Sequence, residues 1–220
     1  MNIKKYKLFL LGFPKTLLFN FQYFPFKTAI KLPVWLTHKV RLKSLKGEVI
    51  LQTEKIRRGM ITIGYQHVSI NDINEYSLWN VQGKVVFKGR AGFGAGAKIA
   101  VGRGVTLTFG DQFLMTARSE LACFKEISFG DNCLLSWNIL VMDTDEHPVY
   151  DEEGNHINHD QPITIGNKVW IGCRSTILKG TVVVDGCIIG AGTLANKKFK
   201  EKNCIIAGSP ARIVKENVYW

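Results

Sequence analysis

From Ile165 an apolar residue returns at every sixth position without a break, as Ile165, Ile171, Ile177, Val183 and Ile189. No single regular element has that period, because an α-helix repeats its buried positions every three or four residues and a half-buried strand every two. Short strands joined by tight bends do have it, when one residue of each strand points inward at the same height. Three such steps close one triangular turn, so residues as far apart in sequence as Ile165 and Val183 should stack. Four positions beyond each step lies a second residue of small or medium size, at Val169, Ser175, Thr181, Cys187 and Thr193, and glycine follows several steps, at Gly166, Gly172 and Gly190. Upstream the register returns at Phe129, Leu135 and Val141, with Cys133 and Ile139 at the four-on position. It continues with slips through Phe87, Phe93, Val101, Leu107 and Phe109. The expected fold is all-β, a solenoid of stacked parallel strands.

Between Val141 and Ile165 the period stops. The intervening MDTDEHPVYDEEGNHINHDQP, residues 142–162, holds three of the five histidines of the chain and seven acidic residues. A long excursion inside a compact repeat is either functional or disordered, and this density of titratable groups points to function. Histidine is the natural base near neutral pH, and His147, His156 and His159 all fall in this stretch. Three histidines among carboxylates also raise the question of zinc, but the spacing lacks a compact ligand pair such as H-x-H, and no metal is expected. His156 and His159 are read as solvated loop residues or as the lining of a groove, while His38 and His67 lie outside the motif.

From about Phe129 to Lys215, SWNILVMDTDEH, HPV with its acidic stretch, PITIGNKVWIG, GAG and AGSPAR resemble the hexapeptide-repeat O-acetyltransferases of sugars and bacterial surface polysaccharides. The resemblance implies a left-handed parallel β-helix and transfer of acetyl from acetyl-CoA, a co-substrate, to a sugar hydroxyl. The chemistry needs a base for the hydroxyl proton, a donor for the developing oxyanion and a slot that aligns both substrates. By resemblance His147 is the base. Asp143, Asp145 and Glu146 are the nearby candidates for orienting its ring, and a backbone carbonyl would serve equally. By the same resemblance the backbone at Cys173 and Ala191 faces the pantetheine arm, with the Cys173 amide as candidate oxyanion donor. Trp170 either walls the pocket or packs at a coil corner. Lys197, Arg212 and Lys215 stand at the family's phosphate-binding positions, and the departure ANKKFKEKN adds Lys198, Lys200 and Lys202. Relatives of this kind are trimers with sites between subunits, so a homotrimer is expected. The alternatives are an N-acetyltransferase of an amino-sugar, a zinc-dependent hydratase on the same fold, and a non-catalytic scaffold.

The formal net charge of +11 is unevenly spread, since residues 1–58 carry 13 Lys/Arg and 2 Asp/Glu while residues 59–220 carry 16 of each. In residues 1–58 basic and aromatic residues alternate, which suits either a segment at an anionic lipid surface or a capping core with solvated lysines. Lys7, Lys15, Lys27 and Lys31 interrupt it well short of the ~20 apolar residues of a spanning helix. No nucleic-acid-binding motif accompanies the charge. The five cysteines form no CxxC pair, which fits reduced thiols in a cytoplasmic protein. The expected organisation is a basic aromatic segment 1–58, a β-helix domain 59–216 with its active-site loop at 142–164, and a tail 217–220.

Overall fold

The computed structural model describes residues 3–65, 68–70 and 72–220, with side chains from residue 8 onward, so that His67 and the side chains of Lys4, Lys5 and Lys7 lie outside the described residues. Short strands sort by threes into the faces of a triangular coil. The first face has nine strands, beginning at Val34–Leu36 and ending at Ile205–Ala207 with an antiparallel partner, Arg212–Lys215. The second face has seven, from Val40–Leu45 to Leu194–Ala195, and the third has seven, from Glu48–Leu51 to Lys198–Phe199. Apart from that last pair, every pairing of these faces is parallel, as stacking of successive turns requires.

Each inward position becomes a column. On the third face, register alone places Leu51, Phe87, Phe109, Phe129, Ile165, Val183 and Phe199 one above another. The predicted pair Ile165 and Val183 is among them. Phe87 and Phe109 stack at 5.3 Å and Phe109 and Phe129 at 5.8 Å, with Phe93 and Phe113 filling the interior from the first face. The second set of predicted positions, Val169, Ser175, Thr181, Cys187 and Thr193, is also buried, its hydroxyls bonded to corner carbonyls such as Ser175 Oγ to Gly190 O at 2.9 Å. Burial of each large aliphatic or aromatic side chain contributes about 1.5–3 kcal/mol, repeated at every level of the column.

The coil begins earlier than the sequence suggested. Residues 34–51 already form three strands that pair with the next turn, so the β-helix starts at Val34 rather than at residue 59. The regular step is hidden there by a register shift between Leu42 and Ser44 and by the long corner that follows Leu51.

What precedes the coil is a helix, α1 (Ile3–Tyr23), followed by a short turn of helix, α2 (Phe26–Ala29). One side of α1 closes the open end of the coil. Phe19 is fully buried against Trp79, whose indole N–H donates to the Tyr23 hydroxyl at 3.0 Å. Thr16 and Asn20 act as a missing strand: Leu36 N–H donates to Thr16 Oγ1 at 3.0 Å, Val34 N–H to Asn20 Oδ1 at 3.1 Å, and Asn20 Nδ2 to Val34 O at 2.7 Å. The exposed backbone of the first strand is thereby satisfied.

Candidate active site

The loop leaves the coil at the edge between the second and third faces, after Leu140–Met142 and before Ile163–Ile165. Asp143 anchors its start. This fully buried carboxylate accepts the Phe124 N–H at 2.6 Å on one oxygen, and the Lys125 and Glu126 N–H groups at 3.0 and 2.8 Å on the other. Those amides belong to the same edge one turn earlier, so Asp143 ties the loop to the coil. Among the described residues it makes no hydrogen bond to His147. The far end is an ordered hairpin rather than a loose excursion. Ile157 N–H donates to Val149 O at 2.9 Å, Tyr150 bridges His156, and Asp151 Oδ1 accepts from Glu153 N–H and Asn155 N–H around Gly154.

Two residues that sequence reasoning missed hold the histidine arm. Asn158 Nδ2 donates to the His147 carbonyl at 2.9 Å and to Asp145 Oδ2 at 2.8 Å, while its Oδ1 accepts the Val149 N–H at 2.6 Å. Lys179 donates to Asp145 Oδ2 at 2.5 Å and to Asn158 O at 2.6 Å. Bonding from Lys179 first, and from Asn158 second, holds the Asp145 carboxyl below its ordinary value. The signal for Lys179 was the register itself: Met142 pairs with Leu178, which sets the next residue beside the start of the loop. His147, exposed and fastened through its backbone, lines a hollow of roughly 440 Å³ with Lys125, Glu146, His156 and His159. The His156 and His159 rings meet edge to face at 4.2 Å, and His156 Nε2 lies 2.9 Å from Asn158 Oδ1. Among the described residues, no three His, Cys, Asp or Glu side chains gather closely enough to hold a metal ion.

Cys173 and Ala191 sit together, but at a different edge. Both lie in bends between the first and second faces, where Gly192 N–H donates to Cys173 O at 2.9 Å. The bends nest because Gly172 carries no side chain; a Cβ there would lie 2.6 Å from Ala191 N. Neither the Cys173 nor the Ala191 amide donates a hydrogen bond among the described residues, so both remain available to a ligand oxygen. Trp170 stands at the adjoining strand, 37% exposed, its Nε1 donating to Ser136 Oγ at 3.1 Å and its ring 6.0 Å from that of Trp220. It is therefore both packed and accessible. Lys197 and Arg212 line a separate hollow of roughly 360 Å³ with Lys198 and Lys200, a cationic setting suited to phosphates. Lys215 lies at the end of the terminal strand, outside that lining. One chain thus gathers the histidines at one edge and the Cys173 and Ala191 backbone at another.

No protein-family model matches the chain. It is 48% identical over 96 residues to a polysialic acid O-acetyltransferase of Neisseria meningitidis, a match covering 43% of this chain and 45% of that protein. It is 34% identical over 125 residues to the galactoside O-acetyltransferase of Escherichia coli K12, covering 56% of this chain and 57% of that protein. The chain thus spans about half the length of these curated relatives. The crystal structure of the polysialic-acid-specific acetyltransferase NeuO superimposes with a TM-score of 0.58 at 19% identity, over 83% of this chain and 88% of that one. Along the coil this chain is similar to these sugar O-acetyltransferases, and it shares with NeuO the fold of a left-handed parallel β-helix.

Proposed function

We propose that this protein is an acetyl-CoA-dependent O-acetyltransferase that acts on a sugar hydroxyl in the assembly of a bacterial surface polysaccharide. The observation that carries the reading is the break in the coil, an ordered loop that fastens the His147 backbone beside an open hollow lined by two further histidines. Named relatives along the coil act on polysialic acid and on galactosides, which supports a glycan acceptor.

In this reading acetyl-CoA supplies an activated acetyl thioester. His147 takes the proton of the acceptor hydroxyl, with Glu146 the carboxylate beside it in the same lining. The open amides of Cys173 and Ala191 fit a narrow chain carrying amide and carbonyl groups, and the Cys173 N–H is the donor for a carbonyl oxygen that gains charge. Lys197, Arg212 and Lys200 suit the phosphates of the nucleotide end. Because His147 and Cys173 occupy different edges, the working site is formed between neighbouring copies of a homotrimer, the histidine from one and the amides from the next. We place the enzyme in the cytoplasm, with its acceptor close to a membrane.

The test is release of free thiol from acetyl-CoA by the purified protein, over a panel of glycan acceptors, beside His147→Ala. Loss of a positioned base should lower turnover by ~100- to 10,000-fold with coenzyme A binding intact. Equal rates in the two proteins would overturn the assignment.

A further inference from the structure

The outer side of α1 is not built for water. Leu10, Leu11, Leu18 and Phe21 are 52, 51, 54 and 47% exposed and, with Pro14, form one arc of the helix opposite the buried Thr16, Phe19 and Asn20. Phe26, at 72%, and Ile30, at 49%, extend the same apolar surface past the end of the helix. Helices on a soluble surface present polar residues on this side, and an apolar patch of this kind marks a contact site.

Its surroundings carry one sign of charge. Residues 1–47 contain no Asp or Glu, and Lys27, Lys31, Arg41, Lys43 and Lys46 are exposed around the helix and on the first turn of the coil. At the edge between the third and first faces, over the first turns of the coil, is a hollow of roughly 240 Å³ lined by Lys55, Arg57, Lys88 and Arg90. None of these four cations makes an ion pair among the described residues, and the one carboxylate in the lining, Asp111, accepts the Arg90 backbone N–H at 2.6 Å. Four like charges around one concavity repel each other unless an anion fills it. The hollow and the helix are joined by packing. Gly59, between Arg57 and Met60 of the lining, lies against the Trp35 ring, and Phe9 of α1 packs on that ring at 4.6 Å between centroids.

We infer that this end of the coil docks on an anionic phospholipid bilayer, the apolar arc of α1 entering the interface and the Lys55, Arg57, Lys88 and Arg90 hollow receiving a lipid phosphate. An apolar helix face with a cationic rim is the arrangement that binds such surfaces, and each cation near the surface strengthens binding by about fivefold. The loop of the proposed active site lies several turns along the coil, so it stays open to an acceptor held at the membrane. The inference rests on the membrane-proximal part of the proposed function and not on acetyl transfer.

The experiment is co-sedimentation of the full-length protein with phosphatidylcholine vesicles made with and without phosphatidylglycerol. Wild type should bind the anionic vesicles and release with salt. Lys55→Gln/Arg57→Gln/Lys88→Gln/Arg90→Gln should bind at least tenfold more weakly, and so should Leu11→Ser/Leu18→Ser/Phe21→Ser. All seven substitutions are surface changes, and circular dichroism with thiol release from acetyl-CoA reports whether each variant is folded and competent. Equal binding to both vesicle types, or unchanged binding in both variants, would overturn the inference. So would serine variants that lose self-association while vesicle binding persists, which would make the arc a subunit contact. Binding of inorganic phosphate in the hollow without vesicle binding would assign it to a soluble anion and also overturn it. An absence of thiol release by every protein would count against the acetyltransferase reading alone.

Discussion

Asp143 and Asp145 are two residues apart and do opposite work. Asp143 turns inward and spends its oxygens on three amides of the previous turn, whereas Asp145 turns outward to Lys179 and Asn158, which hold the His147 arm. The Asp145 carboxyl has its pKa lowered by these donors, so the interaction is complete above the ordinary carboxylate range and is lost as pH falls through the lowered value. The side-chain amide resonance of Asn158 should therefore shift on acidification with a midpoint below that of a free aspartate. Lys179→Met should raise the midpoint toward the free value, and an unmoved midpoint would show that Lys179 does not hold the loop. The sequence could not separate Asp143, Asp145 and Glu146, because all three lie within four residues of His147 along the chain. What distinguishes them is the neighbouring turn of the coil, which proximity in sequence does not reveal. The loop and its three histidines were legible as a break in the period, whereas the choice of His147 among them is what the resemblance implies.

At the scale of elements, the coil was readable where its corners are of constant length and obscure where they are not. Ile165 to Ile189 was read in the register that the strands adopt, while the turn at 34–51 was hidden by its bulge and placed in the N-terminal segment. A second regularity went unread. Along the edge between the third and first faces, Asp111, Asp131, Asn167 and Asp185 each accept, at 2.6–2.8 Å, the backbone N–H of Arg90, Asp111, Asp131 and Asn167 respectively. The sequence mark is the Asp or Asn after glycine in Gly110-Asp111, Gly130-Asp131 and Gly166-Asn167. The cap of the coil was half-legible: a capping core was one of two readings of the aromatic residues, but the helix was not foreseen, and Thr16 and Asn20 have a role only once Val34–Leu36 is known to be the first strand. Asn20→Leu keeps the volume and removes the pairing, leaving the buried N–H and C=O of Val34 without their partner. It should cost about 2–4 kcal/mol in denaturant unfolding. Because turns of a solenoid are stabilised by their neighbours, hydrogen exchange should rise first in residues 34–51, and uniform loosening along the coil would contradict a capping role.

The whole molecule raises the question of how a site split between two edges can act. His147 and the amides of Cys173 and Ala191 project from different corners of one triangular cross-section, and the packed interior lies between them. No rearrangement short of unfolding brings them together within a chain, but a three-fold assembly of triangular prisms sets an edge of one copy against an edge of the next. That geometry makes a prediction independent of any single variant. His147→Ala removes the proposed base and leaves the bends intact, whereas Ala191→Trp leaves His147 and fills the exposed bend at Ala191 with a bulky ring. Each protein alone should be inactive. After unfolding and refolding together in equal amounts, random assembly of trimers should restore about a quarter of wild-type activity, because that share of interfaces joins an intact histidine to an intact bend. Recovery would establish that the site is shared between copies. Its absence in a mixture shown by native mass spectrometry to contain hybrid trimers would mean that each chain works alone, and the role given to the Cys173 and Ala191 bends would have to be withdrawn.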